Sequence, residues 1–599
     1  MPSKPHFLRK AAVAAGLFSI LLSVGVHAEP APEVAAVMDR VVERMYQTLT
    51  IDELAALDNE SVWTFITPEE RAVLATKYWT FEVNVPVVVS VMRHNEQAAA
   101  PFWLVEAGFQ KTPLTVRNEH NTYEVWQKRF DAGPVELGIN GFDKHRPHYF
   151  VAVGPQRTGT PLRVTRLMPA GYSKGLMCTG ALTYHDWTEL VLEDVPAELT
   201  GHVLLTTVRG RAREAHLIGA FRQTPYPASG RPDHLALTWS ADPATTQTIQ
   251  WRTNAAVESG VVQYRLRHAP DGAPWQSVNA ERAVIKDRLL ANDPVCHRFT
   301  TTLTGLQPGT AYVYRAGNPA ADTWSDEAEF ITAPASPSAF TFVFMGDTHR
   351  SPQWGEMLGT AFTRHPETAF YLLGGDLVGT GLYRDDWDQF FAVSTSVFRQ
   401  RPVMPCLGNH DDQDGLGAGM YLELFGLPRN APDGIEPERM YSFEYGNALF
   451  LILDIAAPLE TQAAWMEARL ADSSATWKFA MVHFPPYAPS EDYPRMRAVW
   501  GPVFDTYHVD MVFSGHVHHY LRSKPMRDGK PAASPAEGTI YLVSVGIPSR
   551  DWSGGGPEYA DVIFSGPALY QTLRIDGNTL ELRAFSADGQ ERDRLTIAK

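Results

Sequence analysis

The sequence predicts a multidomain protein in which an α/β domain, residues 338–599, follows an antiparallel β-sandwich and a further β-rich region. At 599 residues the chain exceeds what one hydrophobic core supports. Short strands without helical intervals run up to a linker near residue 334, and apolar strands alternate with amphipathic stretches after it. A hydrophobic content of 44% is typical of a folded chain rather than a disordered one.

The first 28 residues have the pattern of a secretory signal peptide. Lys4, Arg9 and Lys10 give a basic start, an apolar run follows, and small residues precede Glu29. The apolar run has about 16 residues, which is short of the ~20 needed to span a bilayer. We therefore expect an exported protein, periplasmic or extracellular, without an integral membrane segment in the mature chain.

The charge of the mature chain argues against a nucleic-acid partner. Removing residues 1–28 takes away three basic residues and no acidic one, so 52 − 3 = 49 basic residues face 68 acidic ones, a formal charge of −19. Such a surface repels nucleic acid, and no Lys/Arg run offsets it.

Three cysteines are few for an exported chain. Cys178 and Cys296 could pair across a domain border, whereas Cys406 lies in an apolar stretch and is expected to be a buried free thiol. Disulfides are therefore not expected to hold the fold together.

Residues 29–220 predict two regions. A helical segment covers residues 29–78, with apolar residues at helical spacing near its start and with Thr50, Asp52 and Thr67 as helix starts. Residues 79–220 predict a β-rich domain of unknown role, with strands at Phe81–Val91, Tyr149–Val153 and Val203–Val208. Its His145 and His148 are interpreted as a turn pair rather than a metal site.

Residues 226–334 predict an antiparallel sandwich, because short strands follow one another without helical intervals. The segment from Leu303 to Arg315 resembles the E–F corner of fibronectin type III-like domains, in which an apolar residue, a Pro-Gly turn and a Tyr close the sandwich. The strand candidates are Leu235–Trp239, Thr248–Thr253, Val261–Leu266, His297–Leu303, Ala311–Ala316 and Ala328–Thr332.

Residues 338–599 predict strands that alternate with helices. The helix candidates are Asp385–Phe398, Leu459–Leu470 and Tyr493–Tyr507. The strand candidates are Phe342–Met345, Phe370–Leu373, Val403–Leu407, Leu449–Leu453, Phe479–Val482, Met511–Phe513 and Ile540–Val543.

Polar residues follow five of the first six of these strands. Reactive groups gather at the carboxyl ends of strands in α/β folds, so these side chains are expected to meet. Glycines beside four of the motifs allow sharp turns and close backbone approach. The residues concerned are Asp347 and His349, Asp376, Asn409 with His410 and Asp411, His483, and His516 with His518.

The residue types indicate metal ions. Carboxylate, imidazole and amide groups without a thiolate suit Zn, Fe, Mn or Co. Seven ligands are more than one ion would bind, and two ions that share one carboxylate would account for all seven. The candidate ligands are Asp347, His349, Asp376, Asn409, His483, His516 and His518. We therefore expect two metal ions, divalent or mixed, of open identity.

The order of these motifs resembles that of the calcineurin-like metallophosphoesterases, in which two β-sheets are flanked by helices. The preceding sandwich, the run His483–Tyr487 and the run Gly515–Arg522 resemble the purple acid phosphatase branch, whose N-terminal domain residues 226–334 would be. The resemblance implies one ion on Asp347, His349, Asp376 and His518. It implies a second ion on Asp376, Asn409, His483 and His516, with Asp376 bridging and His410 outside, near the phosphoryl group.

One position departs from the purple branch. Purple acid phosphatases carry Gly-Asp-x-x-Tyr, whose Tyr binds iron(III), and here Gly379 stands at that position. The first motif also supplies His349, an imidazole that the purple enzymes lack. The resemblance therefore implies purple acid phosphatase-like architecture around a site without tyrosinate.

The function expected is an exported dinuclear-metal phosphoesterase that hydrolyses phosphate monoesters of small molecules through a metal-bridging hydroxide. His410 would stabilise charge or protonate the leaving oxygen, and Asp411 would either tune a histidine or cap a helix. Substrate contacts are predicted from the residues close to the motifs, and a polar insertion at 413–439 is predicted to be a lid or a specificity loop. Those contact residues are Arg350, Tyr487, His519 and Arg522.

Two alternatives stay open. A phosphodiesterase or nucleotidase would use the same metal site, since ester class depends on pocket shape. An envelope- or polymer-binding protein with an accessory hydrolase domain is the alternative from another class, and only residues 29–220 leave room for it.

Overall fold

The computed structural model describes residues 32–145, 147–169, 174–184, 190–207, 215–270, 272–412, 418–549 and 556–599. The predicted signal peptide, residues 1–28, lies outside these ranges. Among the described residues, every helix is too short or too polar to cross a bilayer.

The described chain begins with helices, as the spacing predicted. Thr50 and Thr67 are N-caps, and each forms a capping box with the Glu three residues later. Asp52 lies inside the first turn of its helix instead of starting one, and Asp58 caps the next helix. The helices are α1 (Pro32–Thr48), α2 (Ile51–Ala55), α3 (Asn59–Trp63) and α4 (Pro68–Thr76).

The β-rich region contains two sheets, with strand orders β5-β1-β7 and β8-β10-β6-β2-β4-β3-β9. The predicted run Phe81–Val91 forms two strands instead of one. His145 Nε2 lies 3.0 Å from His94 Nδ1, and His148 Nδ1 lies 2.9 Å from the Tyr149 carbonyl. The elements are β1 (Trp79–Val83), β2 (Val87–His94), α5 (Phe102–Glu106), β3 (Gln110–Asn118), β4 (Thr122–Phe130), β5 (Gly133–Leu137), β6 (Phe150–Pro155), β7 (Val164–Met168), β8 (Lys174–Leu176), β9 (Leu192–Asp194) and β10 (Val203–Leu205).

The next region is an antiparallel sandwich of two sheets, β11-β12-β16-β15 and β14-β13-β17-β18, with β19 paired to β17. At its predicted corner the buried Tyr312 hydroxyl accepts a hydrogen bond from the Gln307 N–H at 2.9 Å. The elements are β11 (Asp233–Thr238), β12 (Gln247–Asn254), β13 (Val261–Leu266), β14 (Gln276–Asn279), β15 (Glu281–Lys286), β16 (Val295–Leu303), β17 (Ala311–Asn318), a 3₁₀ turn (Pro319–Ala321), β18 (Thr323–Trp324) and β19 (Ala328–Ile331).

The cysteines are free thiols in this structure, so the pairing of Cys178 with Cys296 does not form. Cys296 lies inside β16 and is fully buried, while Cys178 is only partly buried. Cys406 is buried, as its apolar surroundings predicted.

The α/β region packs two main sheets, ordered β22-β21-β20-β32-β33-β34 and β23-β24-β25-β26-β30-β27-β31. All seven predicted strands and all three predicted helices are present. The helices are α6 (Pro352–Arg364), α7 (Arg384–Phe398), α8 (Asn409–Asp412), α9 (Gly419–Leu424), α10 (Leu459–Asp472) and α11 (Pro494–Tyr507). The strands are β20 (Phe340–Met345), β21 (Thr368–Leu373), β22 (Val403–Pro405), β23 (Tyr441–Tyr445), β24 (Ala448–Ile452), β25 (Trp477–Met481), β26 (Met511–Ser514), β27 (Tyr520–Ser523), β28 (Met526–Arg527), β29 (Lys530–Pro531), β30 (Ile540–Val543), β31 (Ala560–Phe564), β32 (Leu569–Asp576), β33 (Thr579–Ser586) and β34 (Glu591–Ala598).

Aromatic side chains fill the space between these sheets. The Phe342 ring of β20 lies 5.3 Å from the Phe450 ring of β24 and 5.8 Å from the Phe479 ring of β25. Strands β20, β21 and β22 run parallel in one sheet, and β24, β25, β26 and β30 run parallel in the other. Buried parallel strands of this kind bring their carboxyl ends to one edge.

Buried ion pairs join the sandwich to α7. Arg252 of β12 places Nη1 2.5 Å from Asp388 Oδ1, and both side chains are almost fully buried. Arg384, at the start of α7, places Nη2 2.5 Å from Asp293 Oδ2. The helix that follows the second motif is therefore tied to the preceding sandwich.

The polar insertion at 413–439 also contacts the sandwich. Residues 413–417 lie outside the described ranges. In the part that is described, Gly426 donates its N–H to Gln250 at 2.8 Å, and its carbonyl accepts from Thr238 at 2.6 Å. Arg298, fully buried, donates to the Leu424 carbonyl at 2.9 Å. The described start of the insertion is therefore anchored to the sandwich, and the role of the insertion as a lid or specificity loop stays a prediction.

We predict that Arg252→Ala lowers the free energy of unfolding by about 3 kcal/mol, because it leaves the buried Asp388 carboxylate without its closest cation. Urea denaturation followed by tryptophan fluorescence measures this change. The matched control is Arg231→Ala, whose exposed pair with Asp326 should contribute less than about 1 kcal/mol. Equal effects of the two substitutions would contradict a stabilising role for the junction.

Candidate metal centre

The strand ends bring the predicted residues together. Three overlapping groups place one ligand atom from each member within 4.8 Å of the others. Asp376 belongs to two of them, and so does His349. The groups are Asp347 with His349 and His518, His349 with Asp376 and His410, and Asp376 with His483 and His516.

The two aspartates use their oxygens differently. Asp347 Oδ1 accepts from the backbone N–H of His516 at 2.6 Å, and Asp376 Oδ1 accepts from that of His410 at 2.8 Å. The other oxygens face imidazoles: Asp347 Oδ2 lies 2.9 Å from His518 Nε2, and Asp376 Oδ2 lies 3.3 Å from His483 Nε2. One oxygen thus fixes each carboxylate while the other is directed into the cluster.

Backbone carbonyls orient two of the histidines. The Nδ1 of His483 lies 2.7 Å from the Gly374 carbonyl, and that of His410 lies 2.7 Å from the Gly379 carbonyl. A carbonyl only accepts, so both Nδ1 atoms carry hydrogen and the Nε2 atoms face the cluster. His483 Nε2 also lies 3.1 Å from Asn409 Oδ1, which brings the amide of the third motif to the same place.

The electrostatics favour ionised aspartates. Burial alone would raise the pKa of Asp376, but the neighbouring His483 and the other imidazoles hold it far below its usual range. Burial likewise lowers the pKa of His483, yet Asp376 and Asp347 outweigh it and raise this pKa to about 10. Burial lowers the pKa of His349, which favours the neutral imidazole that metal ions bind.

The backbone is strained where the ligands lie. His349, Asp376, His516 and His518 have φ angles of 43°, 48°, 74° and 49°, a left-handed conformation that costs non-glycine residues about 1 kcal/mol or more each. Hydrogen bonds hold part of it in place, since the Asp376 carbonyl accepts the His349 N–H at 2.9 Å. Strain of this kind concentrates at functional sites.

Two of the glycines in the motifs lie where there is no room for a Cβ atom. A Cβ on Gly515 would lie 2.2 Å from Asp347 Oδ1, and a Cβ on Gly408 would lie 2.2 Å from the Asp376 N atom. Real Cβ atoms do not approach that closely, so these two positions accept only glycine without displacing a candidate ligand.

The site fits metal ions. Asp347 Oδ2 is buried and has no hydrogen-bond donor among the described residues. His518 Nε2 lies 2.9 Å from it without hydrogen-bond geometry, as expected for two atoms converging on a common ion. Two of the three groups each draw all their members from one predicted ligand set. The third group adds His410, predicted to lie beside the ligands, to His349 and Asp376.

Asp411 holds the site together rather than facing a substrate. Its buried carboxylate accepts the backbone N–H of Gly408 at 2.9 Å, of Leu377 at 2.9 Å and of Val378 at 3.2 Å. Burial and the charge of Asp376 raise its pKa well above the usual range. Asp411 thus ties the second motif to the third, and its predicted role in tuning a histidine stays a prediction.

The predicted substrate contacts are buried or contact other protein side chains in this structure, and their role toward a substrate stays a prediction. Arg350 Nε lies 2.6 Å from Asp386 of α7. Arg522 pairs with Asp593 at 2.6 Å, because alternation along β27 puts it on the same face as Tyr520, which bonds the same carboxylate. Tyr487 packs against Tyr541 and Tyr559, and His519 is buried with its pKa lowered by that burial.

Two features near the cluster escaped the sequence prediction. Glu491 Oε2 lies 3.0 Å from His516 Nε2, but its loop has no recognisable motif. Behind the third motif, Arg439 pairs with Asp412 at 2.8 Å and with Asp454 at 2.6 Å. Asp454 follows β24 directly, so its position after a strand is a signal that is visible in the sequence.

Comparison with known proteins agrees with this geometry. Residues 340–520 match the calcineurin-like phosphoesterase family, and residues 232–332 match the purple acid phosphatase N-terminal domain. An uncharacterized protein of Mycobacterium tuberculosis is 29% identical in an alignment of 338 positions that covers 49% of this chain and 62% of that protein. Purple acid phosphatase 23 of Arabidopsis thaliana is 27% identical in an alignment of 352 positions that covers 49% of this chain and 75% of that protein. The chain thus spans less than two thirds of the mycobacterial relative.

A solved structure shows the same fold. A purple acid phosphatase from yellow lupin (Lupinus luteus) seeds aligns with a TM-score of 0.54 and 15% identity, over 86% of this chain and 90% of the lupin chain. Residues 221–599 make up less than two thirds of the chain, so the aligned part reaches into the region ahead of the sandwich.

Residues 340–520 are thus similar to the calcineurin-like phosphoesterases. The domain order is that of the purple acid phosphatases, because a match to their N-terminal domain lies directly ahead of the phosphoesterase match. Gly379 stands where the resemblance to the purple acid phosphatases implies a Tyr.

We predict that Gly515→Ala lowers the metal content of the purified protein, because the new Cβ displaces the Asp347 carboxylate. Elemental analysis measures the content, and circular dichroism should show an unchanged fold. Gly501→Ala in α11 is the matched control, since nothing lies within 4 Å of its Cβ and alanine favours a helix by up to ~1 kcal/mol. Full metal content in Gly515→Ala would contradict the placement of Asp347.

Proposed function

We propose that the protein is an exported phosphatase that uses two metal ions to hydrolyse phosphate monoesters of small molecules. The observation that carries this is the set of overlapping carboxylate–histidine groups at the strand ends, which share Asp376 and His349. The basic and apolar pattern of residues 1–28 supports export.

The ligands divide between two ions as the resemblance implies. Asp347, His349, Asp376 and His518 would hold one ion, and Asp376, Asn409, His483 and His516 would hold the other. When bound, the ions supply an activated water and offset the charge of the phosphoryl oxygens. The donors are carboxylate, imidazole and amide, a set that suits Zn, Fe, Mn or Co.

The protein's own residues bind and orient the ester. The His518 and His410 side chains are 40% and 26% exposed, whereas that of His483 is fully buried, so a substrate approaches from the side of His410 and His518. The Gly379 carbonyl holds the Nδ1 hydrogen of His410, which leaves Nε2 to face the ester. When the ring is doubly protonated, Nε2 also carries a hydrogen and can donate a hydrogen bond to a phosphoryl oxygen or a proton to the leaving oxygen.

Ester class is tested with two chromogenic substrates. We expect p-nitrophenyl phosphate to be hydrolysed about tenfold faster or more than bis(p-nitrophenyl) phosphate, because a dianion gains more from two cations than a monoanion does. Absorbance of released p-nitrophenol gives kcat/KM for both. A faster reaction of the diester would favour the phosphodiesterase alternative, and no reaction of either would contradict the proposal.

Asp376→Ala and His410→Ala should separate metal binding from catalysis. Asp376→Ala removes a shared ligand, so bound metal and turnover fall together. His410→Ala is expected to keep the metal and to lose about 10²–10⁴ in kcat, the usual loss on removing an acid–base group. Elemental analysis and kinetics of both variants test this. An active Asp376→Ala enzyme would overturn the shared ligand, and metal loss in His410→Ala would make His410 a ligand.

A further inference from the structure

A carboxylate outside the strand-end motifs contacts one of the candidate ligands. Glu491 lies in the segment between β25 and α11, and its Oε2 is 3.0 Å from Nε2 of His516. The Glu491 side chain is 44% exposed, and that of His516 is 18% exposed. The contact therefore lies at the rim of the cluster, on the side of His516 that faces away from its backbone.

The chemistry of this pair assigns the tautomer of His516. An ionised carboxylate only accepts hydrogen bonds, so the hydrogen lies on His516 Nε2. In a neutral imidazole the lone pair is then on Nδ1, the nitrogen left for an ion.

Neighbouring residues hold Glu491 in place. The Tyr493 hydroxyl donates to the same Oε2, and the Tyr493 ring stacks on Phe484 at 5.3 Å and 18°. Phe484 in turn packs against the His516 ring at 4.4 Å. Arg497 of α11 fixes the segment by donating to the Pro486 carbonyl at 2.8 Å and pairing with Asp492 at 2.6 Å.

We propose that Glu491 is a positioning residue that holds His516 with Nδ1 directed at the metal ion. The inference rests on the proposed function, because it requires His516 to be a ligand. A carboxylate that accepts from the far nitrogen of a metal-bound histidine fixes its orientation and raises its basicity, and its loss typically costs 10–100-fold in metal affinity. Glu491 thus tunes the affinity of the ion held by Asp376, Asn409, His483 and His516.

The test titrates metal-free full-length protein with Zn²⁺ against a chromophoric chelator. Glu491→Ala should weaken one of the two zinc equivalents by about 10–100-fold and leave the other unchanged. Glu491→Gln keeps an acceptor oxygen and should retain affinity within about threefold of the wild type, since the orienting contact remains. The matched control is Glu460→Ala, which removes an exposed carboxylate paired with Arg495 on the same surface.

Cobalt substitution distinguishes a change at the metal ion from a general loss of stability, because the visible spectrum reports on the ligands of Co²⁺. The visible spectrum of the Co²⁺ protein should change in Glu491→Ala and stay unchanged in Glu460→Ala.

His516→Ala should lose the same metal equivalent that Glu491→Ala weakens. If His516→Ala keeps both equivalents, His516 is no ligand and the metal assignment fails together with this inference. If His516→Ala loses one equivalent but Glu491→Ala binds both like the wild type, or Glu491→Gln is as weak as Glu491→Ala, only the inference is overturned.

Discussion

The buried carboxylate of Asp411 is the interaction on which the metal centre depends. It accepts backbone N–H groups from Gly408 on one motif and from Leu377 and Val378 on another, and so fixes the distance between the loops that carry Asp376 and Asn409. A carboxylate suits this position because both of its oxygens accept, one from Gly408 and the other from Leu377 and Val378, and an unsatisfied buried N–H costs about 1–3 kcal/mol. The strained φ of Asp376 is held beside this contact.

Strand geometry explains why so much of the site could be predicted. Each motif begins within a few residues of a buried strand, and the apolar runs of β20, β21, β25 and β26 are visible in the sequence because parallel strands are buried on both faces. Glycines such as Gly515 mark where the backbone passes so close to a candidate ligand that a Cβ atom would not fit. Once the strand ends and the glycines are located, the cluster can be predicted, because the carboxyl ends of parallel strands meet at one edge of the sheet.

Other parts of the fold left no comparable signal. The sandwich strands β14 and β15 are mostly exposed, so they lack the apolar alternation that predicts a strand. Arg522 and Arg350 follow motifs closely in sequence, but partners distant in the chain, Asp593 and Asp386, decide where they point. Glu491, by contrast, contacts a candidate ligand although no motif precedes it in the sequence. Its position depends on a loop that Arg497 holds in place, and no local sequence pattern predicts that contact.

The surroundings of Gly379 leave little room for the tyrosine that the resemblance implies at this position. A Cβ at Gly379 would lie 3.1 Å from Asp386 Oδ2, the carboxylate that pairs with Arg350. A tyrosine at this position would have to pass that ion pair, which binds the first motif to α7 and, through Arg252 and Asp388, to the sandwich. The Gly379 carbonyl instead holds His410, and His349 reaches the cluster from the first motif. The glycine and the imidazole therefore serve the same cluster in different ways, the Gly379 carbonyl by orienting His410 and His349 as a candidate ligand.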